Sequence, residues 1–201
     1  MADALRFVFL GGYAVALVVL LVRVLPLAAR IPGSAHRAAG ARRWLPAVLL
    51  PMGFLVPPAF MLARVGELDH AWPLVRLAGI GFGLYAAIMM LWAAATLGRQ
   101  LVPQAVVFAD HALATTGPYA LVRHPAYSGD LALWLASALA TLNLLLLALW
   151  PLYVLGARAE AQTEEGLLAA RFGATYAGWA ERTGRFVPAI AWGLTARRPT
   201  S

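Results

Sequence analysis

The sequence predicts an all-α integral membrane protein of about five transmembrane helices, the last two forming a hairpin, followed by a polar amphipathic helix. Three observations predict this. Several apolar runs exceed the roughly 18 residues that mark a spanning helix. Apolar residues make up 62% of the chain and charged residues only 12%, with a mean hydropathy of +0.73. Between the apolar runs lies one polar, aromatic, turn-forming stretch, Thr116–Gly129.

The first segment runs from about Leu5 to Ala29 and ends in Arg30-Ile-Pro-Gly. It is too long and lacks the small-residue cleavage site of a removable signal, so it is expected to remain as a membrane helix. The second covers about Leu45 to Ala63 and contains Pro51, Pro57 and Pro58, which predict kinks or a break. The third, about Trp72 to Leu97, is long enough to span with tilt. Its Gly79, Gly81 and Gly83 permit close helix packing, and Arg76 in its first turn can snorkel to the interface.

After the Arg99–Ala126 connection comes an uninterrupted apolar run from Tyr127 to about Gly156. A single helix of ~30 residues would reach about 45 Å, beyond the hydrocarbon core. A hairpin turning near Thr141-Leu-Asn143 is the better solution, with Pro151 kinking its second arm. From Ala157 the character changes to a polar amphipathic helix with Glu160, Glu164, Glu165, Leu167, Leu168 and Phe172, and Gly173 marks its end. Tyr176, Trp179, Arg182, Arg185, Phe186 and Pro188 then read as an aromatic-basic segment on the membrane surface, and Arg197–Ser201 as a frayed tail. The chain divides into three N-terminal helices, residues 1–98, and a core of residues 99–201.

Charge orients these elements. The formal +7 is carried by arginine, which in a membrane protein sets topology and contacts anionic lipid rather than nucleic acid. The first connection carries Arg30, Arg37, Arg42 and Arg43, the second Arg64 against Glu67 and Asp69, and the C-terminal region is again basic. The positive-inside rule places the first connection, the Arg99–Ala126 loop and the C-terminus in the cytoplasm, with the N-terminus outside.

Chemistry can be located more closely than it can be named. With no cysteine there is no disulfide, thiolate ligand or cysteine nucleophile. No HExxH or CxxC spacing, P-loop or Gly-x-Ser-x-Gly motif occurs, so no metal is expected. Gly117-Pro118 and His124-Pro125 both break helix. Irregular backbone beside a bilayer is tolerated only where protein or a polar cavity covers it. His124, Tyr119 and Tyr127 lie on this stretch. Glu160 and Glu164 share one helix face, and the adjacent Glu165 is turned about 100° away. The residues describe a polar pocket at the membrane face, suited to an amphiphilic or charged ligand.

The run His111-Ala-Leu-Ala-Thr-Thr-Gly-Pro-Tyr-Ala-Leu-Val-Arg-His-Pro-Ala-Tyr-Ser-Gly129 resembles the signature of the isoprenylcysteine carboxyl methyltransferase family. So do Glu164-Glu-Gly-Leu-Leu-Ala-Ala-Arg-Phe-Gly-Ala-Thr-Tyr176 and Arg182-Thr-Gly-Arg-Phe-Val-Pro188; the related phospholipid N-methyltransferases share this layout. The resemblance covers roughly residues 97–190. It implies a cytoplasmic S-adenosylmethionine pocket lined by Gln104, His111, Ala112, Leu113, Ala114, Tyr119, His124, Pro125, Ala126, Tyr127 and Glu164. It implies Glu164, Glu165 and His124 as catalytic candidates, and Arg158, Glu160 and Trp134 as contacts to a lipophilic acceptor. Family members acting on prenylcysteine carry an arginine four residues before the cofactor glutamate; here Glu160 stands there, which favours an amine or uncharged acceptor over a carboxylate. The Ala/Arg-rich composition suggests a bacterial inner membrane. Membrane sterol reductases, which bind NADPH, resemble the same C-terminal core but generally have more helices. A transporter would be expected to carry charges deep within its helices.

Overall fold

The computed structural model describes residues 2–19, 21, 36–37, 45–69, 72–98, 106–107 and 112–189. Within them the architecture is helical: α1 (Ala2–Val19), α2 (Leu45–Ala63), α3 (Pro73–Leu97), α4 (Pro125–Thr141) and α5 (Leu144–Ala180). A 3-10 turn, Gly117–Ala120, precedes α4, and two short strands, His36–Arg37 and Val106–Val107, pair antiparallel. Of the described helices, α2, α3 and α5 are long and apolar enough to cross a membrane. Large apolar side chains such as Leu55, Leu62, Leu77, Ile88, Leu91 and Leu155 face outward from the bundle, as lipid-facing residues do. This is an integral membrane protein.

Helix α1 agrees with the first expected segment as far as Val19; residues 20 and 22–29 of that segment lie outside the described residues. Several other elements differ from expectation. Helix α2 runs unbroken through Pro51, Pro57 and Pro58; Pro57 is itself fully buried against its neighbours. No new helix begins at Ala157, because α5 continues through it to Ala180. Its straight part, residues 144–172, makes a rod of about 44 Å, longer than a bilayer core of about 30 Å. The interruption comes at Gly173, where φ is 53° and ψ −126°, a conformation open to glycine and costly for other residues.

The core is built where α4 meets α3 and α5. Helices α3 and α4 make the most extensive contact in the molecule, and glycines allow it. A Cβ on Gly79 would lie 2.6 Å from the backbone nitrogen of Ala140, and one on Gly129 would lie 2.6 Å from Met90 Cγ and 3.0 Å from the Ala86 carbonyl. Helix α4 ends with Leu142 in the left-handed region and Asn143 capping α5, its side chain accepting from Leu146 N at 3.0 Å. The two helices then fold back on each other. The Trp134 indole donates to Leu146 O and the Trp150 indole to Leu131 O, each at 2.9 Å. Trp134 stacks on Tyr153 at 4.5 Å, and Tyr153 donates to the Asp130 carboxylate. These partners remove the cost of burying polar atoms among apolar residues.

The ion pairs among the described residues sit at the two ends of the bundle. At one end Arg6 pairs with Asp3 and Glu67, and Arg64 pairs with Asp3 at 2.7 Å. There the Gly66 and Leu142 carbonyls accept from Leu144 N and Leu68 N. Arg76 does not snorkel outward: it is buried, and its guanidinium donates to Ala140 O at 2.6 Å, satisfying a carbonyl at the C-terminus of α4. The 3-10 turn, the start of α4 and the far end of α5 meet at the other end.

Packing of this kind tolerates no added atoms. Gly79→Ala is expected to lower stability by about 1–3 kcal/mol through overpacking, outweighing a helix-propensity gain of about 1 kcal/mol. Gly81, whose Cβ would meet nothing within 4 Å, is the control: Gly81→Ala should raise the melting temperature. Thermal unfolding in detergent micelles reads both.

Candidate functional site

The site forms where the polar stretch meets the end of α5. Gly117-Pro118 opens the 3-10 turn, and the chain bends again at His124, whose φ of −128° and ψ of 68° place it outside the helix that Pro125 begins. Proline at the first helical position needs no hydrogen-bond partner for its nitrogen. The bend leaves two backbone N–H groups in need of acceptors. Arg123 N donates to Gly184 O at 2.7 Å and His124 N to Arg185 O at 3.0 Å. One helical turn later, Ser128 Oγ donates to Phe186 O at 2.6 Å; Ser128 accepts in turn from Tyr85 OH at 2.7 Å. The segment after α5 thus lies as a strap across the start of α4.

Side chains reinforce the strap. Arg123 Nη1 donates to the carbonyls of Ala180 and Thr183, the latter at 2.7 Å, meeting acceptors that the end of α5 leaves open. Its Nε donates to Glu165 Oε1 at 3.0 Å. Arg185 grips the same carboxylate with two bonds, Nε to Oε1 at 2.9 Å and Nη2 to Oε2 at 2.7 Å. Such bidentate pairs are the strong, directional form of the ion pair.

His124 is 6% exposed and stands between both glutamates: Nε2 is 3.2 Å from Glu165 Oε1, and Nδ1 is 3.3 Å from Glu164 Oε2. A neutral imidazole has one N–H and could serve only one carboxylate, whereas the imidazolium serves both. Burial works against that charge, but hydrogen bonds to Glu164 and Glu165 and their negative charges outweigh it, raising the His124 pKa above its ordinary 6.5. Arg185 is likewise held in its charged form by its bonds to Glu165. Glu164 has a different setting. Tyr127 OH donates to its Oε1 at 2.8 Å, and its side chain remains 23% exposed. Rings of His124, Tyr127 and Phe186 pack edge to face or tilted, with centroids 5.6–6.3 Å apart.

Beside the carboxylates lies an aromatic cluster. Tyr119, Tyr176 and Trp179 are buried together, with Leu113, Ala114, Ala126, Leu168 and Phe172 packed against them. The Trp179 indole donates to Tyr119 O at 3.2 Å. The Tyr119 phenol is buried, and the Glu164 charge adds to burial in raising its pKa, so it stays neutral. Tyr176 and Trp179 are therefore not the surface residues that the sequence suggests. A turn at Gly173 directs them inward.

Of the candidates from sequence, Glu164, Glu165, His124, Pro125, Ala126, Tyr127, Tyr119, Leu113 and Ala114 come together here, with Ala112 exposed at the edge. Gln104 and His111 lie outside the described residues. Glu160 is 2% exposed, whereas Arg158 is exposed; two residues apart on a helix, they point in nearly opposite directions. Trp134 belongs to the α4–α5 core. Sequence reasoning did not name Arg123, Arg185 or Phe186 as site residues. The available signal was charge complementarity between two adjacent glutamates and two arginines flanking the same site.

The His124 bridge makes stability depend on pH. Because the folded-state pKa is raised, the contribution is complete below about 6.5 and is lost as pH rises through the folded value. Melting temperature should fall over that range, and His124→Gln should flatten the profile; an unchanged slope in the variant would contradict the bridge.

The sequence model of the phospholipid methyltransferase family matches residues 74–175, half of the chain and the whole of α4 and the carboxylate pair. No curated protein matches the chain. On that match the chain belongs to the phospholipid methyltransferase family.

Proposed function

We propose that the protein is an S-adenosylmethionine-dependent methyltransferase acting on a small or lipophilic acceptor at the cytoplasmic membrane face. The observation that carries this reading is Glu164: a partly exposed carboxylate, fixed by Tyr127 and His124, beside a cluster of aromatic rings. This donor set fits the cofactor. A carboxylate suits the ammonium or ribose hydroxyls, and aromatic faces suit adenine and the sulfonium cation. Glu164 would hold the cofactor, with Tyr119, Ala126 and Tyr127 against it and Leu113 and Ala114 closing the pocket. When bound, S-adenosylmethionine supplies an electrophilic methyl group.

The protein's own contribution is positioning and exclusion of water. Tyr127 and His124 fix the direction of Glu164, while Tyr119, Tyr176 and Trp179 close the apolar side. A bilayer core takes up about 20 residues of helix. Counted from Leu144, this brings the acceptor end of α5 to the membrane boundary near Glu164, within reach of lipid-dissolved acceptors and soluble cofactor alike. Glu160 lies one turn deeper and is buried. It stands where an arginine would meet a carboxylate acceptor and supplies no cation there, which favours an amine or thiol over an isoprenylcysteine-type carboxylate. With an amine acceptor, Glu164 is the group able to take the departing proton. The arginine-rich connections favour a cytoplasmic C-terminus in a bacterial inner membrane.

Calorimetry on the detergent-purified protein tests the reading. S-adenosylhomocysteine should bind in the micromolar range, and Glu164→Gln should weaken it by about tenfold or more, the scale of a lost charge-assisted hydrogen bond. Binding of NADPH in its place would overturn the proposal in favour of a reductase; binding of neither would overturn it in favour of a non-catalytic membrane protein.

A further inference from the structure

The two adjacent glutamates are unequally engaged. Glu164 meets one hydroxyl and one imidazole nitrogen, and retains 23% of its side-chain exposure. Glu165 meets Arg123, both nitrogens of the Arg185 fork and His124, and is 15% exposed. Three of these four donors converge on Oε1, and the fourth, Arg185 Nη2, meets Oε2. We propose that Glu165 is a positioning residue: its carboxylate gathers Arg123, His124 and Arg185, ties the segment after α5 to the start of α4, and leaves Glu164 as the carboxylate turned toward ligand.

Geometry supports each part of this division. The strap reaches α4 through backbone bonds at Arg123 and His124, and the same two residues, with Arg185, place side chains on Glu165. One carboxylate thus joins three chain segments that are remote in sequence. Phe186, next to Arg185, packs on the rings of His124 and Tyr127, which are the two groups holding Glu164. Moving the strap would therefore move the holders of Glu164 without touching Glu164 itself. A ligand approaching Glu165 would have to displace a bidentate arginine pair, whereas one approaching Glu164 would not.

This inference rests on reading the site as the cofactor pocket, but it can be tested independently of that reading. The groups facing His124 are Glu164 and Glu165 from α5, Tyr127 from α4, and Phe186 from the strap, with Arg123 and Arg185 acting through Glu165. The 201-residue chain in detergent micelles, labelled with 15N-histidine, gives the titration of each of its four histidines, and His124→Gln identifies the signal. In a clamp, Glu165→Gln removes a negative partner and should lower the His124 midpoint by about one pH unit, a tenfold loss of proton affinity. Arg185→Gln removes a competing cation and should raise it. Shifts of opposite sign support the clamp. Shifts of the same sign, or none, overturn it, because a residue that only held the fold together would change stability without this signature. If Glu165→Gln does not fold, the Arg185→Gln shift alone decides: upward supports, downward or absent overturns. S-adenosylhomocysteine titrated into the same samples separates the two readings. Opposite shifts without binding would retain the clamp and remove the cofactor assignment; binding without shifts would do the reverse.

Discussion

The arrangement at the membrane boundary depends on a single carboxylate shared by three cations. Glu165 holds Arg123, Arg185 and His124 within 3.2 Å, and so joins the start of α4 and the segment after α5 to one point on α5. A surface ion pair contributes little. This one is half-buried and multiply hydrogen-bonded, and it is backed by main-chain bonds from Arg123, His124 and Ser128 to the strap. It makes the segment after α5 a wall of the site. The imidazolium between Glu164 and Glu165 follows from the same geometry, since a neutral ring could not satisfy both acids.

That end of the molecule is held in position by the bundle beneath it. Close approach of α3 to α4 at Gly79 and Gly129, and the mutual indole-to-carbonyl bonds of α4 and α5, fix α4 against its neighbours over its whole length. The far end is pinned by Arg6 on Asp3 and Glu67 and by Arg76 on the Ala140 carbonyl. With both ends of α4 tied down, His124 and Tyr127 at its start are presented to α5 at a fixed height, and α5 is long enough to carry Glu164 and Glu165 to meet them.

Much of this was legible in the sequence, and for identifiable reasons. Helices α2 and α3 match the apolar segments closely because uniform hydrophobicity over membrane length admits little else. The turn at Leu142-Asn143 was marked by a polar residue inside a run too long for one span. The gathering of His124, Tyr127 and Glu164 was suggested by motif resemblance, and the fold gives it a physical basis. What was not legible concerned the third dimension. Nothing local distinguishes an arginine that snorkels from one that turns inward, so Arg76 was misjudged. An amphipathic segment with aromatic and basic residues reads as interfacial, yet the break at Gly173 turns Tyr176 and Trp179 into the protein and Arg185 onto Glu165. The prolines of α2 read as kinks or a break, and no break occurs; the neighbours that buttress the helix around Pro57 are not adjacent in sequence.

The central claim is that Glu164 and the aromatic cluster beside it form the cofactor site of a membrane methyltransferase. Photo-crosslinking of methyl-labelled S-adenosylmethionine to the purified protein, followed by peptide mapping, tests it most directly. The account predicts light-dependent label on peptides from residues 112–127 or 164–179, displaced by excess S-adenosylhomocysteine. Label confined to α1 or α2, or label that excess S-adenosylhomocysteine does not displace, would contradict it.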